Sequence, residues 1–187
     1  MDTRVFIAVN LPEGVRKKLF QYTYKWNDLP AKWTKQGNLH ITLIFLGTIN
    51  AEELLETINI TKEVALNHEQ FDIVLDKIFY GPPKKIPPRM VWISGKESMP
   101  LTLLKNDLEN ALLGSGKVSF TKEERKFSPH ITLGRIETFK LRGVEEMPEV
   151  NEDISFSFPV SSIEVMGSRL KRGGPEYEVL ESIPLKD

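Results

Sequence analysis

Two copies of one tetrapeptide divide this chain. His40-Ile41-Thr42-Leu43 and His130-Ile131-Thr132-Leu133 stand ninety positions apart in 187 residues, one in each half. The chain holds only three histidines, and two of them open these tetrapeptides. Their flanks are β-branched and aromatic, which suits a pleated strand. On a strand, successive side chains face opposite sides, so the His and Thr of each copy share one face while Ile and Leu share the other. A duplicated α+β unit is the simplest fold that delivers two such strands. Two sheets facing each other would set His40 and His130 across one groove, each with a threonine hydroxyl beside it.

The rest of the chain reads as strand–helix–strand–helix–strand, followed by a rough repeat of that order. Strands are expected over 4–10, 38–47, 71–79, 90–93, 127–136, 154–158, 162–166 and 176–180. Helices are expected over 13–26, with Val15, Leu19, Tyr22 and Trp26 on one side, over 50–67, and over 98–113. Asn50 is placed to cap the second helix, whose apolar side is Leu54, Leu55, Ile58, Val64 and Ala65. In the third, Leu101, Leu104, Leu108 and Leu112 recur at spacings of three and four. Four prolines within 81–88 exclude regular structure there. An acidic loop is expected over 145–153. The 187 residues are expected to form one domain of two pseudo-symmetric lobes.

Composition removes several classes. Cysteine is absent, which excludes disulfides, thiolate metal sites and a cysteine nucleophile. Charge balances to a net −1, so a nucleic-acid partner must be held by a local patch rather than a long basic track. No stretch approaches the roughly 20 apolar residues of a membrane span. The N-terminus has too short an apolar run for a signal peptide. A cytoplasmic, monomeric protein without membrane association is expected.

Two histidines delivered to one cleft suit in-line cleavage of a phosphate ester. In a ribose 2′,3′-cyclic phosphate, water must lose a proton as it attacks phosphorus, and the departing ribose oxygen must gain one. One imidazole can do the first and an imidazolium the second near neutral pH. Charge on the non-bridging oxygens can be carried by hydroxyl and guanidinium donors, and Thr42 and Thr132 are placed for that. No metal and no cofactor are expected, because two histidines without a carboxylate at ligand spacing do not complete a set. His68, among polar neighbours after a helix, reads as an exposed connector.

At these residues the sequence resembles the two-histidine phosphoesterases, and within them the LigT/ThpR-like RNA 2′,3′-cyclic phosphodiesterases, once described as 2′-5′ RNA ligases. The resemblance runs the length of the chain. Arg4, Phe6, Ile7 and Ala8 resemble the family's opening strand. Trp33, Leu39 to Leu43 and Phe45-Leu46-Gly47 resemble its first motif, and Val91 and Trp92 a mid-chain strand. Phe127, Pro129, His130 to Leu133 and Arg135 resemble its second motif. Ser168, Leu170, Gly173 or Gly174, and Tyr177 resemble its closing segment. Ile44 and Gly134 depart from the pattern, standing where a basic residue and an alanine are common.

The resemblance implies a bilobal α+β fold, with two mostly antiparallel sheets flanked by helices around a central cleft. It implies metal-independent hydrolysis of RNA ends or nucleotides bearing a 2′,3′-cyclic phosphate to 2′-phosphomonoesters. It further implies His130 as the proton acceptor that activates water and His40 as the proton donor to O3′. The residues alone leave that direction open, and exchanged roles would run 2′-5′ joining.

Arg135, Arg169 and Tyr177 are further substrate-binding candidates. Strict alternation puts Arg135 on the face opposite His130, so a cleft role needs a twist, a bulge or a strand end. Residues 168–177 carry three cations and two glycines. They read either as a loop gripping an RNA backbone, with Tyr177 stacking on a base, or as a solvated turn between strands. Phe6 and Trp33 read as core or as walls of a base pocket. Rival functions are a nucleotide- or RNA-end-binding module without turnover, and a hydrolase of another cyclic phosphate such as ADP-ribose 1″,2″-cyclic phosphate.

Overall fold

The strands carrying the two tetrapeptides lie next to each other in the middle of an antiparallel sheet. The structure, a computed structural model, describes residues 2–122, 127–141 and 147–187. In chain order its elements are β1 (Thr3–Asn10), α1 (Glu13–Gln21), β2 (Ala31–Trp33), β3 (His40–Ile49), α2 (Ala51–Ala65) and β4 (Phe71–Gly81). There follow β5 (Met90–Gly95), α3 (Met99–Ser115), β6 (His130–Ile136), β7 (Asn151–Val160), β8 (Ser162–Lys171) and β9 (Gly174–Pro184). Among the described residues the strand order is β7-β4-β5-β6-β3-β1-β8-β9, and β2 pairs with β6 off this path.

That order reads as two half-sheets, β7-β4-β5-β6 and β3-β1-β8-β9, each with a motif strand at its inner edge. Every strand pairing within them is antiparallel, and α2 and α3 pack on each other beside them. The two halves of the expected α+β duplication are therefore joined into one sheet, through the single pair Ile41–Ile131. Both isoleucines are buried in the main core, so His40, Thr42, His130 and Thr132 flank this seam on the other face. β1 shows the same division. Val5, Ile7 and Val9 enter the main core, while Phe6 and Ala8 join Met166 and Tyr177 in a small cluster on the cleft face.

The helices follow local chemistry. Asn50 accepts from the backbone N–H of Glu52 and Glu53, and Glu53 accepts from the Asn50 N–H, a full capping box at the start of α2. The buried face of α2 is rotated from the expected apolar side. Thr57 and Thr61 are buried, while Leu55 is 61% exposed. Burial of these threonines is tolerated because each hydroxyl donates to the carbonyl four residues earlier, Glu53 and Thr57, at 2.8 and 2.6 Å. In α3 the four expected leucines are buried, and so are Lys105 and Glu109, which pair at 2.8 Å. The expected helix over 13–26 is α-helical only to Gln21 and continues as a 3-10 helix at Tyr22–Trp26. The acidic loop expected over 145–153 falls partly outside the described residues, and from Asn151 onward the chain is strand.

Candidate active site

Each motif strand carries a β-bulge at the same place. In the β1–β3 ladder, Ile7 pairs with Ile44 and Ala8 with Thr42, leaving Leu43 as the extra residue. In the β5–β6 ladder, Val91 pairs with Gly134 and Trp92 with Thr132, leaving Leu133 extra. A bulge resets the alternation. Arg135 therefore returns to the face of His130 and Thr132, and it lines the cleft with them. Phe45 is its counterpart in the first motif, exposed under the Arg4 guanidinium at 4.9 Å.

The two imidazoles are held alike. His40 Nδ1 lies 2.7 Å from the Asn38 carbonyl, and His130 Nδ1 lies 2.7 Å from the Ser128 carbonyl. A carbonyl only accepts, so Nδ1 carries the proton in both rings and Nε2 is the nitrogen that can take up or give a proton. His40 Nε2 is 3.0 Å from Thr42 Oγ1. In the neutral ring the threonine hydroxyl donates to it. Burial lowers the His40 pKa below the usual imidazole value. The Asn38 carbonyl works against this, and the charge of His130 adds to it.

Aromatic rings fix both imidazoles from behind. Trp92 of β5 stacks on His130 with centroids 3.8 Å apart and planes at 23°. His40 packs against Phe6 at 4.9 Å and meets Tyr177 edge-on at 5.3 Å. Tyr177 thus reaches the cleft but is engaged with the His40 ring, and burial raises its phenol pKa against the opposing charges of Arg4 and Arg135. Trp92 was not singled out as a site residue by sequence. It lies on an ordinary strand, and its pairing with Thr132, two residues from His130, brings it under the imidazole.

The cleft encloses about 380 Å³, near the lower end of small-molecule sites, about 300–1,000 Å³. His40, Thr42, His130, Thr132, Arg135 and Tyr177 all line it. So do Lys32, Lys35 and Trp33, whereas among the described residues no aspartate or glutamate does. The site is thus locally basic within a chain of net charge −1. Lys32 was missed because β2 is three residues long and leaves no periodic signal, and Lys35 because it lies in the short connection beyond that strand. Trp33 is packed against the main core and stacked on Trp26, with its edge at the cleft. Its ring occupies the space where a Cβ at Gly134 would stand, 2.6 Å from Trp33 Cε3, which accounts for glycine at that position.

Arg169 is not brought to the cleft. Residues 168–177 form the end of the β8–β9 hairpin, in which Ser168 pairs with Tyr177. Tyr177 and its partner Ser168 face the cleft, so the residues that follow them, Glu178 and Arg169, face away and pair at 3.0 Å. The turn at Gly173–Gly174 does reach the cleft wall. His68 differs from the expected exposed connector. Its side chain is only 12% exposed and binds Asp107 of α3 at 2.9 Å, tying the end of α2 to α3. Among the described residues, no three His, Cys, Asp or Glu side chains converge as a metal-ligand set. No described helix is long and apolar enough to cross a membrane.

The comparisons with known proteins converge. The model of the LigT like Phosphoesterase family matches residues 9–92 and again 96–177, so each matched segment contains one of the tetrapeptides. An Archaeoglobus fulgidus protein named RNA 2′,3′-cyclic phosphodiesterase is 31% identical over 183 residues, covering 95% of this chain and 97% of its own. A Methanothermobacter thermautotrophicus protein of the same name is 30% identical over 186 residues, with 97% and 98% covered. Among solved structures, a Thermus thermophilus protein superposes with a TM-score of 0.82 at 30% identity over 97% of both chains. Escherichia coli LigT complexed with 3′-AMP gives 0.82 at 25% identity over the full length of both. With both halves matched and relatives aligned end to end, the chain belongs to the LigT-like phosphoesterase family.

Proposed function

We propose that this protein hydrolyses 2′,3′-cyclic phosphate ends of RNA to 2′-phosphomonoesters, using His40 and His130 as the proton-transfer pair. The observation that carries the reading is the matched pair of imidazoles. Each has Nδ1 committed to a carbonyl two residues upstream, and both line one cleft. The names of the relatives point to the same substrate class.

In this mechanism His130 Nε2 takes a proton from water as its oxygen attacks phosphorus. The P–O3′ bond breaks, and His40 Nε2–H gives its proton to O3′. The phosphate stays on O2′. Thr42 and Thr132 donate to the non-bridging oxygens and carry the developing charge. Burial favours the neutral form of His40, and the negative charge of a bound phosphate works in the opposite direction, favouring the imidazolium. Binding and proton uptake are thereby coupled. Exchanged roles would run the reverse, 2′-5′ joining. One chain supplies every group named here, so a monomer suffices.

The test is direct. Incubation with a 2′,3′-cyclic nucleotide is expected to yield the 2′-monophosphate. Tight binding without any monophosphate would make the protein a nucleotide-binding module instead.

A further inference from the structure

In the β8–β9 hairpin, cations reach carboxylates of the neighbouring strand: Lys171 pairs with Glu176 at 2.5 Å and Arg169 with Glu178 at 3.0 Å. The β2–β6 ladder breaks this pattern at the cleft. Lys32 is the direct cross-strand partner of Arg135, so two cations oppose each other. Such partners have Cβ atoms about 4.5–5.5 Å apart, and like charges there are destabilising. Both side chains are exposed, and among the described residues neither makes an ion pair. Lys35 adds a third positive charge to the same wall. The turn of the β8–β9 hairpin closes over them. Asn38 Nδ2 donates to the Pro175 carbonyl at 2.8 Å, and Lys32 Nζ lies 3.4 Å from where a Cβ on Gly174 would stand. Gly174 has φ +109°, so glycine serves both the turn and the approach of Lys32.

A repulsive pair held together inside a cleft without acids is a site for an anion. It is separate from the place between the histidines. Arg135 lies three residues beyond Thr132, about 7–10 Å along a strand. That is comparable to the reach from a terminal cyclic phosphate across one ribose to its 5′ phosphate. Resting on the cyclic-phosphodiesterase reading above, we propose that Lys32 and Arg135, with Lys35 beside them, form a second phosphate site. It takes the phosphate on the 5′ side of the terminal nucleotide. The protein then measures two phosphates one nucleotide apart, and an RNA end is preferred to a bare cyclic nucleoside phosphate.

Three substrates test this: a nucleoside 2′,3′-cyclic phosphate with a free 5′ hydroxyl, the same compound with a 5′ phosphate, and a dinucleotide ending in the cyclic phosphate. Wild-type kcat/KM is expected to rise at least 10-fold when the 5′-side phosphate is added. In Lys32→Gln and Arg135→Gln that gain is expected to shrink to under 3-fold. Because each variant relieves a like-charge opposition, its Tm is expected to equal or exceed wild type, which a structural role for either side chain would not give. A gain with the dinucleotide identifies the phosphodiester of an RNA chain as the ligand. A gain with the 5′-phosphorylated mononucleotide alone identifies a free nucleotide. Equal wild-type rates on all three substrates would overturn the second site while leaving the hydrolase reading intact. So would variants that lose as much on the 5′-hydroxyl compound. No turnover of any of the three would sink the hydrolase reading itself, and this site with it.

Discussion

Replacing Gly134 by alanine probes how the second motif strand is seated. The added Cβ would stand 2.6 Å from Trp33 Cε3 and 3.0 Å from Cζ3. The ring cannot simply swing aside. Trp26 stacks on it at 6.5 Å with planes at 29°, and Trp26 Nε1 donates to the Glu149 carbonyl at 3.0 Å. Forcing extra volume into such packing costs about 1–3 kcal/mol. For a chain of this size each kcal/mol moves Tm by about 2–4 °C, so a fall of roughly 2–12 °C is expected. Activity should fall with it, because Thr34, next to Trp33, bonds through its N–H to the Leu133 carbonyl and through its hydroxyl to the Thr132 carbonyl. Calorimetry on Gly134→Ala, Trp33→Leu and the double variant isolates the cause. With the ring gone, the same alanine should be neutral, or stabilising by about 0.4–1 kcal/mol through the unfolded chain. A Gly134→Ala protein that melts at the wild-type temperature, or a clash penalty that persists in Trp33→Leu, would refute the reasoning.

Three further outcomes follow from the geometry. His40→Ala and His130→Ala should each lower turnover of a cyclic nucleotide about 10²–10⁴-fold, with the double variant far from additive, while His68→Ala keeps near-wild-type activity in the same assay. Burial depresses the His40 pKa, so folding stability should be full above the unfolded imidazole value of about 6.5 and be lost as pH falls through the folded value; urea melts at pH 7 and pH 5 should show a smaller loss in His40→Gln than in wild type. Glu109→Ala would strand the buried Lys105 and release Lys122, which Glu109 holds at 3.2 Å; a loss of about 3–5 kcal/mol in thermal unfolding is expected.

What could be read from the sequence was periodic or duplicated. The four leucines of α3, the Asn50 cap and the two tetrapeptides follow from spacing alone. So does the shared face of each His and Thr, since a strand alternates whatever surrounds it. The bulges could not be read, because nothing in Leu43 or Leu133 demands an extra residue; the neighbouring strands set that register. Arg135 reaches the site through it, and Trp92 reaches the site by pairing with Thr132, which the sequence of β5 does not announce. Arg169 went the other way, since a run of cations looks the same whether its side chains face a cleft or meet Glu178 behind it. The burial of Thr57 and Thr61 was hidden by their polarity until their hydroxyls were seen bonded to the helix backbone. Lys32 lay on a strand too short to announce itself.

The central claim is that two imidazoles in one cleft cleave a cyclic phosphodiester without help from a metal. The most direct measurement is product analysis of an RNA oligonucleotide ending in a 2′,3′-cyclic phosphate, incubated with the protein in EDTA. The expected result is an undiminished rate, a product carrying phosphate only on the terminal 2′ oxygen, and loss of that product in both His40→Ala and His130→Ala. A 3′-phosphate product, or activity that vanishes in EDTA and returns with a divalent ion, would contradict it.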